Sequence, residues 1–410
     1  MSDPVEEGGS RSLVPWSAFS SGGQCCPYRG TGMMGRLWPF VVGSVALGLD
    51  AYVVAGLLPT IASSLDAREA TVGLGVAAFT GSYAIAGPLL AGRAGRRSRQ
   101  SLIVSLLIFT VANLATAFSP TVEFFLGSRV VAGAAAGVYS PLSSAVAAEI
   151  AGEVRRGRAL ALVLAGLAVG TVFGVPAGLA LAQYWGWRAA ILLIAAIGGA
   201  ALAGTFLRGR DLPAIPASGA RERLLSIARP KNLVTVTVTL LTGVASLGLY
   251  TYMTVILSSG SLASHQTLAI WVWGIGGAVG ALGVGRLLDR RAPLQLSMVI
   301  LGGLTFALLG MTQDQTAWIL VASLFLWGMC GWASLAPQQH ILLQANPADG
   351  ATAVAANASA NYLGSALGAI FGALLVSADA TPTVLCISAA SVAVLALLSQ
   401  FARQHMSATE

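Results

Sequence analysis

Apolar positions in this chain gather into long unbroken runs rather than short alternating patches. The runs occupy about 37–58, 71–92, 100–118, 122–149, 157–182, 187–207, 233–257, 266–288, 294–311, 316–337, 351–377 and 382–402. Each has roughly 20 residues, enough for a helix to cross about 30 Å of hydrocarbon. Twelve transmembrane helices are predicted. Residues 1–35 are rich in Ser, Gly and Pro, show no periodic apolar face, and are expected to form a disordered cytoplasmic tail. Met33 and Met34 stand directly before the first run, which leaves open a native start at that point. That run is too long for a signal peptide and leads into further spans.

Polar positions set the orientation. Even-numbered gaps between runs hold Arg93, Arg96, Arg97 and Arg99, then Arg155, Arg156 and Arg158, then Arg208 to Lys231, then Arg286, Arg290 and Arg291; Arg403 lies in the C-terminal tail. Odd-numbered gaps hold only Arg68 and Arg188. Basic loops stay on the cytoplasmic side, so both termini are expected there. The longest gap, with Pro213, Pro216, Pro230 and six basic residues, reads as a tether between two six-helix halves. The expected organisation is a tail at 1–35, a bundle at 36–207, a linker at 208–232, a second bundle at 233–402 and a tail at 403–410.

Composition narrows the class. The chain is 56% hydrophobic and 10% charged, with a mean hydropathy of +0.77, whereas soluble domains carry about 25% charged residues. The net charge of +7 comes from topology-setting loops, so no nucleic-acid partner is expected. Cys25, Cys26, Cys330 and Cys386 lack metal or redox spacing. His265, His340 and His405 are far apart in predicted loops, and no nucleophile elbow or P-loop occurs. Gly274, Gly276, Gly277 and Gly280 approach a dinucleotide fingerprint, but inside an apolar run they read as helix packing.

Internal repetition supports two halves. In the fifth run Gly166, Gly170, Gly174 and Gly178 recur every fourth residue, a smooth helical stripe where another backbone can approach closely. Pro176 beside the last glycine should kink that helix. The stripe returns on the eleventh run as Gly364, Gly368 and Gly372, an offset of 364 − 166 = 198. Aligning Arg93 with Arg290 after the second and eighth runs gives 290 − 93 = 197. Duplication of this kind marks a two-half transporter.

The stripe with its proline, Gly174-Val-Pro176-Ala-Gly178, resembles the antiporter motif of the major facilitator superfamily, specifically its drug:proton antiporter branch with chloramphenicol-resistance and arabinose-efflux-like members. Gly92-Arg93-Ala-Gly95-Arg96-Arg97 and Gly285-Arg-Leu-Leu-Asp289-Arg290-Arg291 are similar to the family's signature loops. The first copy departs from the family's pattern, with Gly92 where the family has an acid of its cytoplasmic latch. Arg129-Val-Val-Ala-Gly133-Ala-Ala-Ala-Gly137 resembles the family motif whose embedded arginine takes part in proton coupling. Leu49-Asp50 with Leu58-Pro59 resembles the first-helix motif. The resemblance implies an all-α membrane protein of twelve transmembrane helices in two pseudo-symmetric six-helix bundles. It implies gating roles for Gly166, Gly170, Gly174, Pro176, Gly178, Arg93, Gly95, Arg96, Asp289 and Arg290.

Asp50 lies near mid-span, where a carboxylate costs roughly 2.5–3.5 kcal/mol on insertion scales. It must be neutral, paired or facing a wet cavity. Burial favours the neutral form of a carboxyl and a neighbouring arginine the charged form. A carboxyl that meets and leaves Arg129 can therefore cycle a proton, and Asp50 and Arg129 are the candidate proton-coupling residues. At offset 197 they map to Leu247 and Leu326, which places all proton chemistry in the first half. One proton moving down about 100 mV supplies roughly 2.3 kcal/mol, a gradient on the order of 40-fold at about 1.4 kcal/mol per tenfold. By family analogy the first, fourth, seventh and tenth helices line the cavity, which offers Tyr52, Tyr139, Tyr250, Tyr252, Met253 and Trp327 as substrate-binding candidates. Trp38, Trp185, Trp187 and Trp318 near span ends read as interface anchors. Asn357 and Asn361 share a helix face and read as interhelical glue.

The expected function is proton-driven export of a small, largely hydrophobic drug such as a phenicol, by a monomer in the cell (inner) membrane. No cofactor is expected, the proton gradient being the driving force. Export of a sugar or other metabolite stays open as an alternative. A membrane-embedded enzyme or a receptor is disfavoured, for want of a reactive cluster or a sizeable soluble domain.

Overall fold

A backbone in hydrocarbon must satisfy its own hydrogen bonds, and helices do so within each segment. In the computed structural model, which describes residues 33–152, 155–208, 212–215, 228–258, 261–288, 290–312, 317–345 and 350–408, the apolar runs are helical, with breaks at Leu57, at Thr251 and Tyr252, and at Ser334. Residues 1–32, most of the predicted linker, Asp289 and the side chain of Arg93 lie outside the described residues. Twelve helices are long and apolar enough to span a membrane: α1 (Gly35–Gly56), α2 (Glu69–Leu90), α3 (Ser98–Ala117), α4 (Val122–Ala151), α5 (Arg158–Trp185), α6 (Trp187–Leu207), α7 (Pro230–Gly248), α8 (Ala263–Leu288), α9 (Pro293–Gly310), α10 (Ala317–Ala345), α11 (Ala353–Ser377) and α12 (Pro382–His405).

Several predicted ends move. The helix of α2 continues to Arg96, so Arg93, Gly95 and Arg96 form its last turns instead of a loop. The helix of α12 continues to Ala408 through the predicted tail, which places His405 on a helix. In α10 the chain passes a break at Ser334 and runs on to Ala345, so His340 is helical and meets Gln344 at 3.0 Å. Charged and amide residues beyond the hydrocarbon satisfy their backbones by helix as readily as apolar ones, so hydropathy alone ends these elements too early. Pro59, with no N–H to give, starts a separate short helix, Leu58–Ser64, after α1.

The glycine stripe of α5 packs along α1. A Cβ at Gly166 or Gly170 would overlap the carbonyl oxygens of Val41 and Val45; Gly174 faces Leu49, and Gly178 faces Val53. Four contacts at four-residue spacing on both helices keep the two backbones in register. The predicted kink at Pro176 takes the form of a π turn at Gly170–Gly174, the looser winding that accommodates the missing donor. The second half repeats the arrangement: Gly364 meets Leu240, Gly368 meets Val244 and Gly248, and α7 carries its own π turn at Gly243–Gly248.

The two halves close on each other at the end away from the termini. Thr254 Oγ1 donates to the Ala55 carbonyl at 3.3 Å, Arg68 Nη2 to the Ser377 carbonyl at 3.4 Å, and Gln183 Nε2 to Thr267 Oγ1 at 3.4 Å. Tyr252, in the turn that follows α7, presses on Gly73 of α2. Deeper, Tyr83 of α2 and Tyr362 of α11 stack with ring centroids 3.8 Å apart.

Candidate functional site

Asp50 and Arg129 meet inside the first half. Arg129 Nη1 donates to Asp50 Oδ1 at 2.7 Å, and the two side chains are 1% and 0% exposed, respectively. Gly133 and Gly137 bring this about: they pack on the backbone of α2 at Phe79 and Tyr83, which draws α4 in and sets Arg129 over the Phe79 ring at 4.5 Å. Asn113 of α3 completes the group. Its Nδ2 donates to Asp50 Oδ2 at 3.2 Å and to the Phe109 carbonyl at 3.1 Å, while its Oδ1 accepts from Arg129 Nη1 at 3.5 Å. Arg129 Nη2 also reaches the Asp50 carbonyl at 3.4 Å, and Nε has no partner. Of the three conditions open to a carboxylate at this depth, the observed one is pairing. Sequence reasoning missed Asn113, although a lone asparagine in an otherwise apolar span was a usable signal.

Two residues along a helix turn about 200°, so Tyr52 leaves α1 on the face opposite Asp50. It enters an aromatic cluster between the halves, with ring centroids 5.3 Å from Tyr250, 5.8 Å from Trp273 and 6.0 Å from Trp332. Tyr250 lies 4.2 Å from Trp273, which lies 6.2 Å from Trp327. Trp273 and Trp332 were not among the predicted residues; Trp273 is on α8, outside the four helices family analogy pointed to. Tyr250 Oη, Trp273 Nε1 and Trp332 Nε1 are buried without a protein partner. Such an orphan costs about 1–3 kcal/mol, a cost that acceptor atoms on a ligand would remove. Trp327 Nε1 is satisfied by Ser246 Oγ at 3.0 Å.

That neutral α7–α10 bond lies 246 − 50 = 196 and 327 − 129 = 198 residues beyond the ion pair, so the second half replaces charge with a hydroxyl and an indole. Both amide atoms of Asn357 are buried without a partner, so the predicted glue role is not what its contacts display.

Other predicted binders fall elsewhere. Tyr139 is fully buried against α1, its hydroxyl 3.4 Å from the Pro39 carbonyl and close on Gly43. It is a packing residue of the first half. Tyr252 donates to the Ala369 carbonyl at 2.7 Å and belongs to the closed end. Met253 is 1% exposed in the apolar core. Trp187, predicted as an interface anchor, is buried beneath Arg188 and beside Phe125, whereas Trp185 and Trp318 are well exposed. Arg96 and Arg290 are exposed. Among the described residues no cluster could hold a metal ion.

A sequence profile of the Major Facilitator Superfamily matches residues 40–369. The inner membrane transport protein YdhP of Escherichia coli (strain K12) is 29% identical over 381 residues, 89% of this chain and 95% of that one. The chloramphenicol resistance protein of Streptomyces lividans is 30% identical over 273 residues, 64% of this chain and 69% of that protein. Among solved structures, the xylose transporter XylE from E. coli in its inward-open conformation is similar with a TM-score of 0.72 at 16% identity, over 90% of this chain and 96% of that one. Twelve apolar helices, paired glycine stripes and a profile spanning both halves agree: this chain belongs to the major facilitator superfamily and is a multi-pass membrane transporter, not an enzyme.

Proposed function

We propose that this transporter is a proton-coupled antiporter of the inner membrane that exports a small, largely hydrophobic compound such as a phenicol. The observation that carries the reading is the placement of the Asp50–Arg129 pair and the aromatic cluster on opposite faces of α1. Protonating Asp50 removes the charge that holds Arg129, and α1 then loses its anchor to α4. Since α1 also carries Tyr52, the change reaches the ligand cluster through the helix without any contact between ligand and acid. The glycines of α5 and Pro176 provide the smooth, π-turned surface along which α1 shifts. Arg93, Gly95 and Arg96 on the last turns of α2, together with Asp289 and Arg290 after α8, close the opposite end in the alternate state.

The arginine bias puts both termini in the cytoplasm, so the closed end is the outer one. The pump works as a monomer, with the proton gradient in place of a cofactor. Aromatic walls with three unpartnered donors favour a neutral aromatic ligand bearing acceptor oxygens over a polyhydroxylated sugar. The relative named for chloramphenicol resistance points the same way. Purified protein in vesicles under an imposed pH gradient should move chloramphenicol. Asp50→Asn should lose gradient-driven movement while retaining binding, and Tyr52→Ala should weaken binding. Gradient-driven movement that persists in Asp50→Asn refutes the coupling assignment, and undiminished binding in Tyr52→Ala refutes the site.

A further inference from the structure

The cytoplasmic-end turn between α2 and α3 is dense in arginine and poor in acid. Residues 93–99 hold four arginines and no carboxylate. Arg96, Arg97 and Arg99, with Ser98 and Gln100, border a cavity of about 510 Å³. The start of the linker holds it open on one side: Ser98 Oγ donates to the Pro213 carbonyl, and Ile215 N–H donates to the Gly95 carbonyl at 2.9 Å. Arg99 is partly held, its Nη2 3.4 Å from the Phe206 carbonyl. Arg96 and Arg97 stand exposed.

Arg97 and Gln100 also head a second cavity, a groove of about 560 Å³ between α2, α3 and α4. Its walls are apolar, among them Val104, Ile108, Val131 and Val138. Val104, Ile108 and Val131 are 50%, 40% and 48% exposed, so this face is left for lipid. From Arg97 to Ile108 is eleven helical steps, about 16 Å, close to half of a roughly 30 Å hydrocarbon core. The two cavities share Arg97 and Gln100 in their walls, so side by side they offer a slot with a cationic head at the membrane surface and an apolar shaft one leaflet deep.

We propose that this slot is a binding site for an anionic phospholipid of the leaflet on the side of the termini. The phosphodiester sits between Arg96 and Arg97, with one acyl chain in the α2–α3–α4 groove. Charge complementarity selects the headgroup, since nothing in the turn neutralises the arginines; the groove selects a chain-bearing molecule over a free anion. The lipid would brace α2 against α3 beside the loop that moves with the transport cycle.

The test is native mass spectrometry of the purified full-length protein titrated with phosphatidylglycerol, with phosphatidylcholine and with inorganic phosphate. One retained phosphatidylglycerol is expected, with far weaker retention of phosphatidylcholine and none of phosphate. Arg96→Gln with Arg97→Gln should weaken phosphatidylglycerol binding about 30-fold, which is about 2 kcal/mol at 1.4 kcal/mol per tenfold and about 1 kcal/mol per surface arginine. Val104→Trp, on an exposed face where folding tolerates it, should weaken binding by filling the shaft while leaving every charge in place. Arg290→Gln with Arg291→Gln removes the same charge from the equivalent turn of the second half and should leave binding intact. Equal retention of phosphatidylcholine, binding unaltered by either slot variant, or an equal loss in the Arg290/Arg291 variant would overturn the proposal.

Discussion

Replacing Asp50 with asparagine leaves the Arg129 guanidinium buried without its counter-charge. The acceptors left to it are neutral: the new side-chain amide oxygen, the main-chain carbonyl of residue 50 at 3.4 Å and Asn113 Oδ1 at 3.5 Å, with the face of Phe79 at 4.5 Å. Breaking a buried pair from one side costs about 3–5 kcal/mol. The Phe79 ring, worth about 1–2 kcal/mol to a desolvated cation, places the expected loss near 3 kcal/mol. Removing both charges together, as Asp50→Leu with Arg129→Met, leaves no stranded ion and should be neutral or stabilising by about 1–4 kcal/mol. Asn113 keeps the Phe109 carbonyl at 3.1 Å in that variant, so its amide is not abandoned. Equilibrium unfolding in mixed detergent micelles, followed by helix circular dichroism, measures the parent, Asp50→Asn, Arg129→Met and the double variant. Single variants about 3 kcal/mol less stable beside a double variant at or above the parent would show that the pair is held for use rather than for stability. Additive losses, with the double variant the least stable, would refute the reasoning, and gradient-driven transport by the double variant would refute the functional half of it.

Gly170→Leu should abolish transport, because a Cβ there overlaps the Val45 carbonyl and stands 3.0 Å from Leu49 N; Gly127→Ala, with nothing within 4 Å of its Cβ, should retain full transport and gain up to about 1 kcal/mol of helix stability. Vesicle transport assays and unfolding curves separate the two. Asn113→Leu should cost about 1–3 kcal/mol through the partners it strands and should shift the pH profile of transport, since it removes a donor to Asp50; an unmoved profile would reduce Asn113 to packing. Tyr250→Phe should change ligand affinity in equilibrium binding, whereas Tyr252→Phe, which loses only the bond to the Ala369 carbonyl, should change the rate of opening and leave affinity alone.

Span count, glycine stripes and the acid–arginine pair were legible in the linear chain because membrane physics writes them locally. A span needs about 20 apolar residues, a close crossing needs small residues every fourth position, and a charge at depth needs an opposite charge. Asp50 and Arg129 could be matched across 79 positions because few other deep charges compete for them. Helix ends at Arg96 and Ala345 were misjudged because hydropathy marks the edge of hydrocarbon, and helices end where their backbone bonds stop.

What the tertiary structure alone decided is which face of each helix meets which neighbour. Tyr52, Tyr139, Tyr250 and Tyr252 are alike as letters in apolar runs, yet two join Trp273 and Trp332 between the halves, one packs on α1 and one latches α11. Twelve apolar helices offer many pairings of similar hydrophobic gain. The pairing observed is selected by backbone approach at Gly133, Gly170 and Gly368, and by the need to satisfy Arg129, which are properties of the assembled bundle.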